Sequence, residues 1–164
     1  MKKLIVKLSI LIISIPFLLM LVGCHGFIEI WGKVYEWVDA PAGSQSVIFI
    51  RTLEDWRDYE IVIKELEERI SPDIKKSPLN HVQITVSGKE LGADESYYTV
   101  TSNISGQFKL WQLANGGDYP VEIKASRIGY IGVDGKTAYD SFSASDFAIV
   151  VVLVKDENWE WKSK

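Results

Sequence analysis

Few side chains in this sequence of 164 residues have the chemistry of a nucleophile or a metal ligand. There is one cysteine, Cys24, and there are two histidines, His25 and His81. A single cysteine cannot form a disulfide within the chain, and structural zinc sites usually take four nitrogen or sulfur ligands. We therefore expect no internal disulfide, no metal site and no cofactor.

His81 is the residue to consider as a catalytic base, with a serine and an acid such as Asp94 or Asp140. The sequence has no Gly-x-Ser-x-Gly motif, which positions the nucleophile in many serine hydrolases. Asp94 and Glu95 are adjacent and would face opposite sides of a strand, and nothing else indicates a glycosidase pair. We assign no catalytic residues.

Residues 134–140 carry an acid at each end of a segment that contains a glycine. Calcium takes six to eight oxygen ligands, and its loops supply them from regularly spaced Asp and Asn residues. That spacing is missing, so we interpret the segment as a solvated turn.

The six tryptophans raise the question of a sugar-binding surface, because aromatic faces stack on sugars. Four are assigned to packing. Trp56 is expected in a helix core, and the other three lie in strands and are expected in the core or at the edge of the sandwich: Trp31, Trp37 and Trp111. Trp159 and Trp161 lie in the charged tail, residues 156–164, on one side of any extended segment. They are candidates for contact with a partner or ligand. Insertion at a membrane interface and simple packing are the alternatives.

The N-terminal segment has the order of a secretory signal. Met1-Lys2-Lys3 is followed by an apolar run over residues 8–20 and by Leu21-Val22-Gly23-Cys24. The last four residues resemble the bacterial lipobox, in which diacylglycerol is attached to the cysteine and the chain is cut before it. The resemblance implies a signal peptide over residues 1–23 and a mature chain that begins at a lipidated Cys24, acylated by groups such as palmitate.

The alternative is an uncleaved membrane helix, because roughly 20 apolar residues span a bilayer. The position of the only cysteine directly after the apolar run favours the lipoprotein, and two or more acyl chains give a stable anchor. We expect the protein on the exported side of a bacterial cell membrane or outer membrane. In Gram-negative lipoproteins an Asp after the cysteine resembles an inner-membrane retention signal; His25 stands there, so the outer membrane is permitted.

Cleavage before Cys24 would make the chain strongly acidic. Three of the 18 basic residues, Lys2, Lys3 and Lys7, lie in the signal, so 15 remain against 22 acidic residues, a net charge of −7. Such a charge argues against nucleic acid or anionic lipid as the main partner.

The mature chain begins with a short tether, residues 24–27, before a strand-like run over residues 28–37. A second β-rich run covers residues 46–51. One helix is predicted over about residues 53–70, with Thr52 as its N-cap. Its apolar stripe recurs at helical spacing and consists of Trp56, Tyr59, Ile63, Leu66 and Ile70.

From residue 81 onwards the apolar residues recur with a period of two, which is typical of half-buried strands. Val82, Ile84 and Val86 share one face, and the last run, residues 147–154, is continuously apolar and should be fully buried. Many short strands separated by glycine turns predict an all-β protein of about seven strands, either a single sandwich or a barrel, with one helix inserted.

Four short motifs in order resemble the carboxypeptidase regulatory-like domain. They are Gly32-Lys33-Val34, Gly106-Gln107-Phe108, Gly117-Asp118-Tyr119 and Gly129-Tyr130. The resemblance implies a transthyretin-like or immunoglobulin-like β-sandwich over residues 28–155. Residues 39–80, which hold the helix, depart from the family pattern as an insertion. The family has no fixed catalytic residues to carry over.

The function we expect is that of a membrane-anchored lipoprotein whose sandwich is a non-catalytic binding or structural module of the cell envelope. Its partners would be the membrane, through diacylglyceryl-Cys24, and an envelope protein or glycan. The alternative is a small envelope hydrolase, or an accessory subunit of an enzyme that acts on glycan or peptide.

Overall fold

The computed structural model describes residues 26–88, 98–114, 118–140 and 146–159. Within these ranges the chain forms nine strands and one α-helix, with one turn of 3-10 helix at Trp56–Asp58. The strands are β1 (Gly26–Trp37), β2 (Val47–Leu53), β3 (Lys76–Pro78), β4 (Gln83–Ser87), β5 (Tyr98–Thr101), β6 (Gln107–Ala114), β7 (Asp118–Ser126), β8 (Val133–Asp140) and β9 (Asp146–Leu153). The helix, α1, spans Tyr59–Glu68. The all-β sandwich is confirmed, with nine strands where about seven were expected.

The strands form two sheets. In sheet A the order is β2, β9, β1, and the remaining edge of β1 pairs first with β6 and then with β3. Sheet B has the order β5, β4, β7, β8 and is antiparallel throughout. The pair β1–β9 is parallel, and the other pairs of sheet A are antiparallel. Residues 39–80 therefore contribute two strands of sheet A as well as the helix.

The main core lies between the two sheets. Because side chains alternate along a strand, β1 turns Ile28, Ile30 and Val34 toward sheet B, and all three are buried. Sheet B contributes buried residues at alternate positions of β4 and β7 to the same core. These are Ile84, Val86, Val121, Ile123 and Ala125.

A second core lies on the outer face of sheet A, beneath α1. Ala148, Val150 and Val152 of β9 point to this side and pack with Ile63 and Leu66 of the helix. The other residues of β9 point into the sandwich, so every residue from 147 to 153 is buried. The prediction of a fully buried last strand is confirmed, and its cause is a cover on each face.

The helix is shorter than predicted. Leu53 ends β2, paired with Asp146, and Thr52 is paired within the same strand, so Thr52 is not the N-cap. The carboxylate of Asp55 accepts a hydrogen bond from the backbone N–H of Arg57 at 2.9 Å and caps the 3-10 turn instead. Trp56 is 54% exposed, so its assignment to the helix core is wrong. It precedes α1 and does not share the helix's buried face.

Two of the glycine motifs meet on neighbouring strands. Gly32 of β1 stands opposite Phe108 of β6, and a Cβ added at Gly32 would lie 2.2 Å from the Phe108 ring. Gly106 has φ +72°, and a Cβ there would lie 2.3 Å from the Val34 carbonyl oxygen. Both positions therefore need glycine because a ring or a backbone oxygen takes the place of the side chain.

Gly32→Ala should lower the free energy of unfolding by about 1–3 kcal/mol, the usual cost of overpacking a core. The added methyl would meet the Phe108 ring and the Ile149 carbonyl oxygen. Gly132→Ala is the matched control, because its Cβ meets only a carbonyl oxygen at 3.4 Å. Urea unfolding measures both, and equal stabilities of the two variants would contradict the packing described for Gly32.

Candidate functional site

The long strand β1 defines two ends of the sandwich. Its 12 residues start at Gly26 and finish at Trp37, so at about 3.3 Å per residue they extend for about 36 Å. We call the end of the sandwich near Gly26 the proximal end, because Cys24 precedes it by two residues, and the end near Trp37 the distal end. Cys24 itself lies outside the described residues.

An aromatic cluster lies on the outer face of sheet A beside the start of α1. The rings of Trp31 and Tyr59 are stacked with centroids 4.3 Å apart. Lys109 places its ammonium 3.8 Å from the centroid of a Trp31 ring, and the Trp31 indole N–H donates to Glu29 at 3.1 Å. The Trp31 ring is thus engaged by protein groups, which disfavours it as a stacking platform for a sugar.

A polar link joins α1 to β1 next to this cluster. The Tyr35 hydroxyl donates to Oε1 of Glu67, and Lys33 Nζ lies 3.0 Å from the same oxygen. Burial, together with this hydrogen bond, raises the pKa of Tyr35 well above its usual range. Burial alone would raise the pKa of Glu67, but the Tyr35 hydrogen bond and the Lys33 charge outweigh it and lower the pKa. Glu67 is therefore held as a carboxylate between helix and sheet.

A lateral groove of about 340 Å³ runs between the start of α1 and the turn at residues 103–106. Its walls include Trp31, Tyr59, Asn103 and Gln107. Its two lysines are each paired, Lys33 with Glu67 at 3.0 Å and Lys109 with Glu29 at 3.3 Å. The groove thus combines aromatic and amide surface with charges that are already balanced.

A second groove, of about 390 Å³, lies at the distal end. We call it the distal groove. It is bounded by residues 39–45 on one side and residues 154–158 on the other, with Trp37 and Ile131 in its lining. Beside it, Glu36 accepts a hydrogen bond from the Tyr130 hydroxyl at 3.1 Å and pairs with Lys155 at 2.7 Å. These contacts fix the segment after β9 against the end of β1.

Trp159 lies at the distal end as well. Its backbone N–H donates to the Asp156 carbonyl at 3.1 Å, and Asp156 N–H donates to the Gly129 carbonyl at 3.0 Å. Gly129 has φ +82°, and the space where its Cβ would be lies 3.7 Å from the Trp159 ring. Trp159 is 42% exposed, so it packs on one side and presents the other to solvent. Trp161 lies outside the described residues, and contact of this pair with a partner stays a prediction.

The remaining candidates for chemistry are dispersed. His81 is exposed, and its backbone N–H donates to the backbone carbonyl of Ser102 at 3.0 Å. Among the described residues no group of three or more His, Cys, Asp or Glu side chains could hold a metal ion. Asp94 and Glu95 lie outside those residues.

Residues 134–140 form most of β8, so their interpretation as a turn is wrong. Asp134 and Asp140 stand six residues apart on a strand, about 20 Å by the usual rise, which does not make a calcium loop. Gly135 faces the opposite sheet instead, where a Cβ would lie 2.7 Å from Cδ1 of Ile50.

Comparison of the chain with protein-family models, curated proteins and solved structures gives no match. The resemblances to lipoproteins and to the carboxypeptidase regulatory-like domain therefore stay predictions. In the part of the chain that the structure describes, no helix is long and apolar enough to cross a membrane.

Glu67→Gln should lower the free energy of unfolding at pH 7 by about 1–3 kcal/mol, the range for hydrogen bonds to a charged group. Since the pKa of Glu67 is lowered by folding, its contribution is present above the unfolded pKa and lost as the pH falls through the folded pKa. Wild type should therefore lose more stability than Glu67→Gln between pH 7 and pH 3.

Denaturant unfolding at several pH values measures this difference. The control is Glu68→Gln, which removes an exposed carboxylate from the next position of α1 and should change stability by less than about 0.5 kcal/mol. Parallel stability–pH curves for wild type and Glu67→Gln would contradict the role given to Glu67.

Proposed function

We propose that this chain is a bacterial lipoprotein, anchored by diacylglycerol on Cys24 to the exported side of a cell membrane or outer membrane. Its sandwich is a non-catalytic binding or structural module of the cell envelope, similar in build to a carboxypeptidase regulatory-like domain. The lipobox-like residues 21–24 support the anchor, and the two-sheet fold agrees with the domain type.

The observation that carries the proposal is the direction of β1, which runs from near Cys24 to the opposite end of the sandwich. Because β1 starts two residues after Cys24 and reaches the distal end, an anchor at Cys24 would hold the distal end of the sandwich away from the membrane. The distal groove and Trp159 are then the features farthest from the lipid. A partner in the envelope meets this end first.

The charge and the lining of the distal end suit an envelope protein or a glycan rather than a nucleic acid. The mature chain would carry a net charge of −7, which repels phosphate backbones. The groove combines Trp37 with amide, hydroxyl and carboxylate groups, including Gln45, Ser44 and Asp156. Aromatic surface bordered by hydrogen-bonding groups is the usual composition of a binding site.

A pocket that brings His81 together with two acidic groups would favour a hydrolase. His81 is exposed and belongs to the lining of neither groove described above. No described contact therefore favours the catalytic alternative over the binding module.

Cys24→Ser should abolish incorporation of labelled palmitate into the protein in growing bacteria, because serine has no thiol to receive the diacylglycerol. His25→Ser is the matched control and should keep the label. Mass spectrometry of the mature N-terminus completes the test. An intact Met1, an unmodified Cys24, or label retained by Cys24→Ser would overturn the lipoprotein assignment.

A photo-crosslinking residue at Gln45 should capture an envelope protein or glycan in native membranes. The same residue at Lys64, exposed on α1, should capture several-fold less. Trp159→Ala should reduce the Gln45 product if the Trp159 face belongs to the contact. Equal capture at both positions, or a product unaffected by both Trp159→Ala and Trp37→Ala, would remove the distal end as the binding surface.

A further inference from the structure

Two tryptophans with largely exposed side chains lie at the proximal end. Trp56 is 54% exposed and Trp111 is 56% exposed. Large apolar side chains grouped on one side of a protein are candidates for an interaction surface. Their positions relative to the start of β1 indicate what they contact.

Trp111 lies on the outer face of sheet A, beyond the reach of α1. It stands opposite Glu29 in the β1–β6 pair, and β6 forms the edge of the sheet there. Side chains alternate, so Trp111 shares its face with Lys109, whereas Phe108 points inward. The helix packs mainly against β2, β9 and β1.

Trp56 follows the end of β2, which is the edge strand of sheet A opposite β6. Asp146 at the start of β9 pairs with Leu53, and its carboxylate accepts a hydrogen bond from the Glu29 N–H at 3.0 Å. Trp56 follows Leu53 by three residues. Tyr59 then contacts Trp31 and Glu67 reaches Tyr35, so the helical segment begins near the level of Glu29 and advances toward the distal end.

The charges near the two tryptophans differ. Next to Trp111, Glu29 pairs with Lys109 at 3.3 Å. Next to Trp56, Asp55 pairs with Arg57 at 2.6 Å, but the exposed Glu54, Asp58 and Glu60 leave an acidic excess. Insertion of Trp56 therefore depends on the apolar ring of its indole and not on attraction between charges.

We propose that Trp56 and Trp111 insert into the headgroup interface of the bilayer that holds Cys24, so that the outer face of sheet A leans toward the membrane. The proposal rests on the lipidation of Cys24 proposed above. Glu29 follows Cys24 by five residues, a reach of at most about 17 Å, which brings the neighbouring indoles within range of the interface. Tryptophan favours this layer because its ring is apolar and its N–H hydrogen-bonds.

The anchor also lowers the affinity that the two side chains must supply. Once the lipid is inserted, contact of the body with the bilayer is intramolecular and takes place at high effective concentration. Two indoles can then set the orientation of a tethered domain without being able to recruit a free one. Trp159 lies near the Trp37 end of β1, which is eight residues and about 26 Å farther along the strand than Glu29, and it stays in water.

Bromolipid quenching of tryptophan fluorescence tests the orientation. The purified lipidated protein is placed in vesicles of phosphatidylethanolamine and phosphatidylglycerol, with or without brominated acyl chains. Wild type should be quenched, and quenching should fall by at least about twofold in Trp56→Phe/Trp111→Phe, which removes both interfacial indoles. In the matched control, Trp159→Phe, the brominated lipid should remove as much fluorescence intensity as it does in wild type. Circular dichroism checks that each variant is folded.

The outcomes separate this inference from the lipoprotein assignment. Mass spectrometry of the same sample reports the lipid on Cys24, and its absence would overturn both proposals. Lipidated protein whose double variant is quenched as strongly as wild type would overturn the interfacial contact alone. So would a loss of quenching in Trp159→Phe, or concentration-dependent protection of Trp56 and Trp111 from acrylamide in detergent, which would indicate a second copy of the chain.

Discussion

Strand β9 is apolar on both faces, and each face needs its own cover to stay out of water. Phe147, Ile149 and Val151 require sheet B, whereas Ala148 and Val150 require α1. The small side chain of Ala148 lets the helix approach, and the larger ones fill the space between sheets. The three layers, α1, sheet A and sheet B, follow from the need to cover both faces of β9. The parallel neighbour of β9, β1, lies beside it in the middle of sheet A.

The central position of β1 would couple the proposed anchor to the most buried part of the molecule. Residues of β1 pair with β9 on one side and with β6 and β3 on the other, so the strand has no free edge between Ile30 and Lys33. A lipid on Cys24 would therefore pull on a strand that is held from both sides from Ile30 onwards. Such an attachment would transmit orientation to the whole sandwich, which a long flexible stalk would not.

Much of this architecture can be read from local patterns. The alternation of Val82, Ile84 and Val86 and the apolar run at 147–153 predict strands because their periods report burial directly. The start of α1 could not be read in this way, since pairing with β9 extends β2 to Leu53. Gly135 was misinterpreted because a glycine in a strand that faces Ile50 of the opposite sheet looks, in sequence, like a glycine in a turn.

The surface features were harder to predict than the core, because exposure depends on where neighbouring elements end. Trp31 and Trp111 both occupy outward positions of sheet A, yet Trp31 is covered by Tyr59 and Trp111 lies beyond the helix. No local pattern distinguishes them; the order of strands and the placement of α1 do. The same order gives the sandwich two unlike ends, one with exposed indoles beside the start of β1 and one with a groove about 36 Å farther along the strand. The proposed anchor at Cys24 would turn that asymmetry into a membrane-facing side and a partner-facing side.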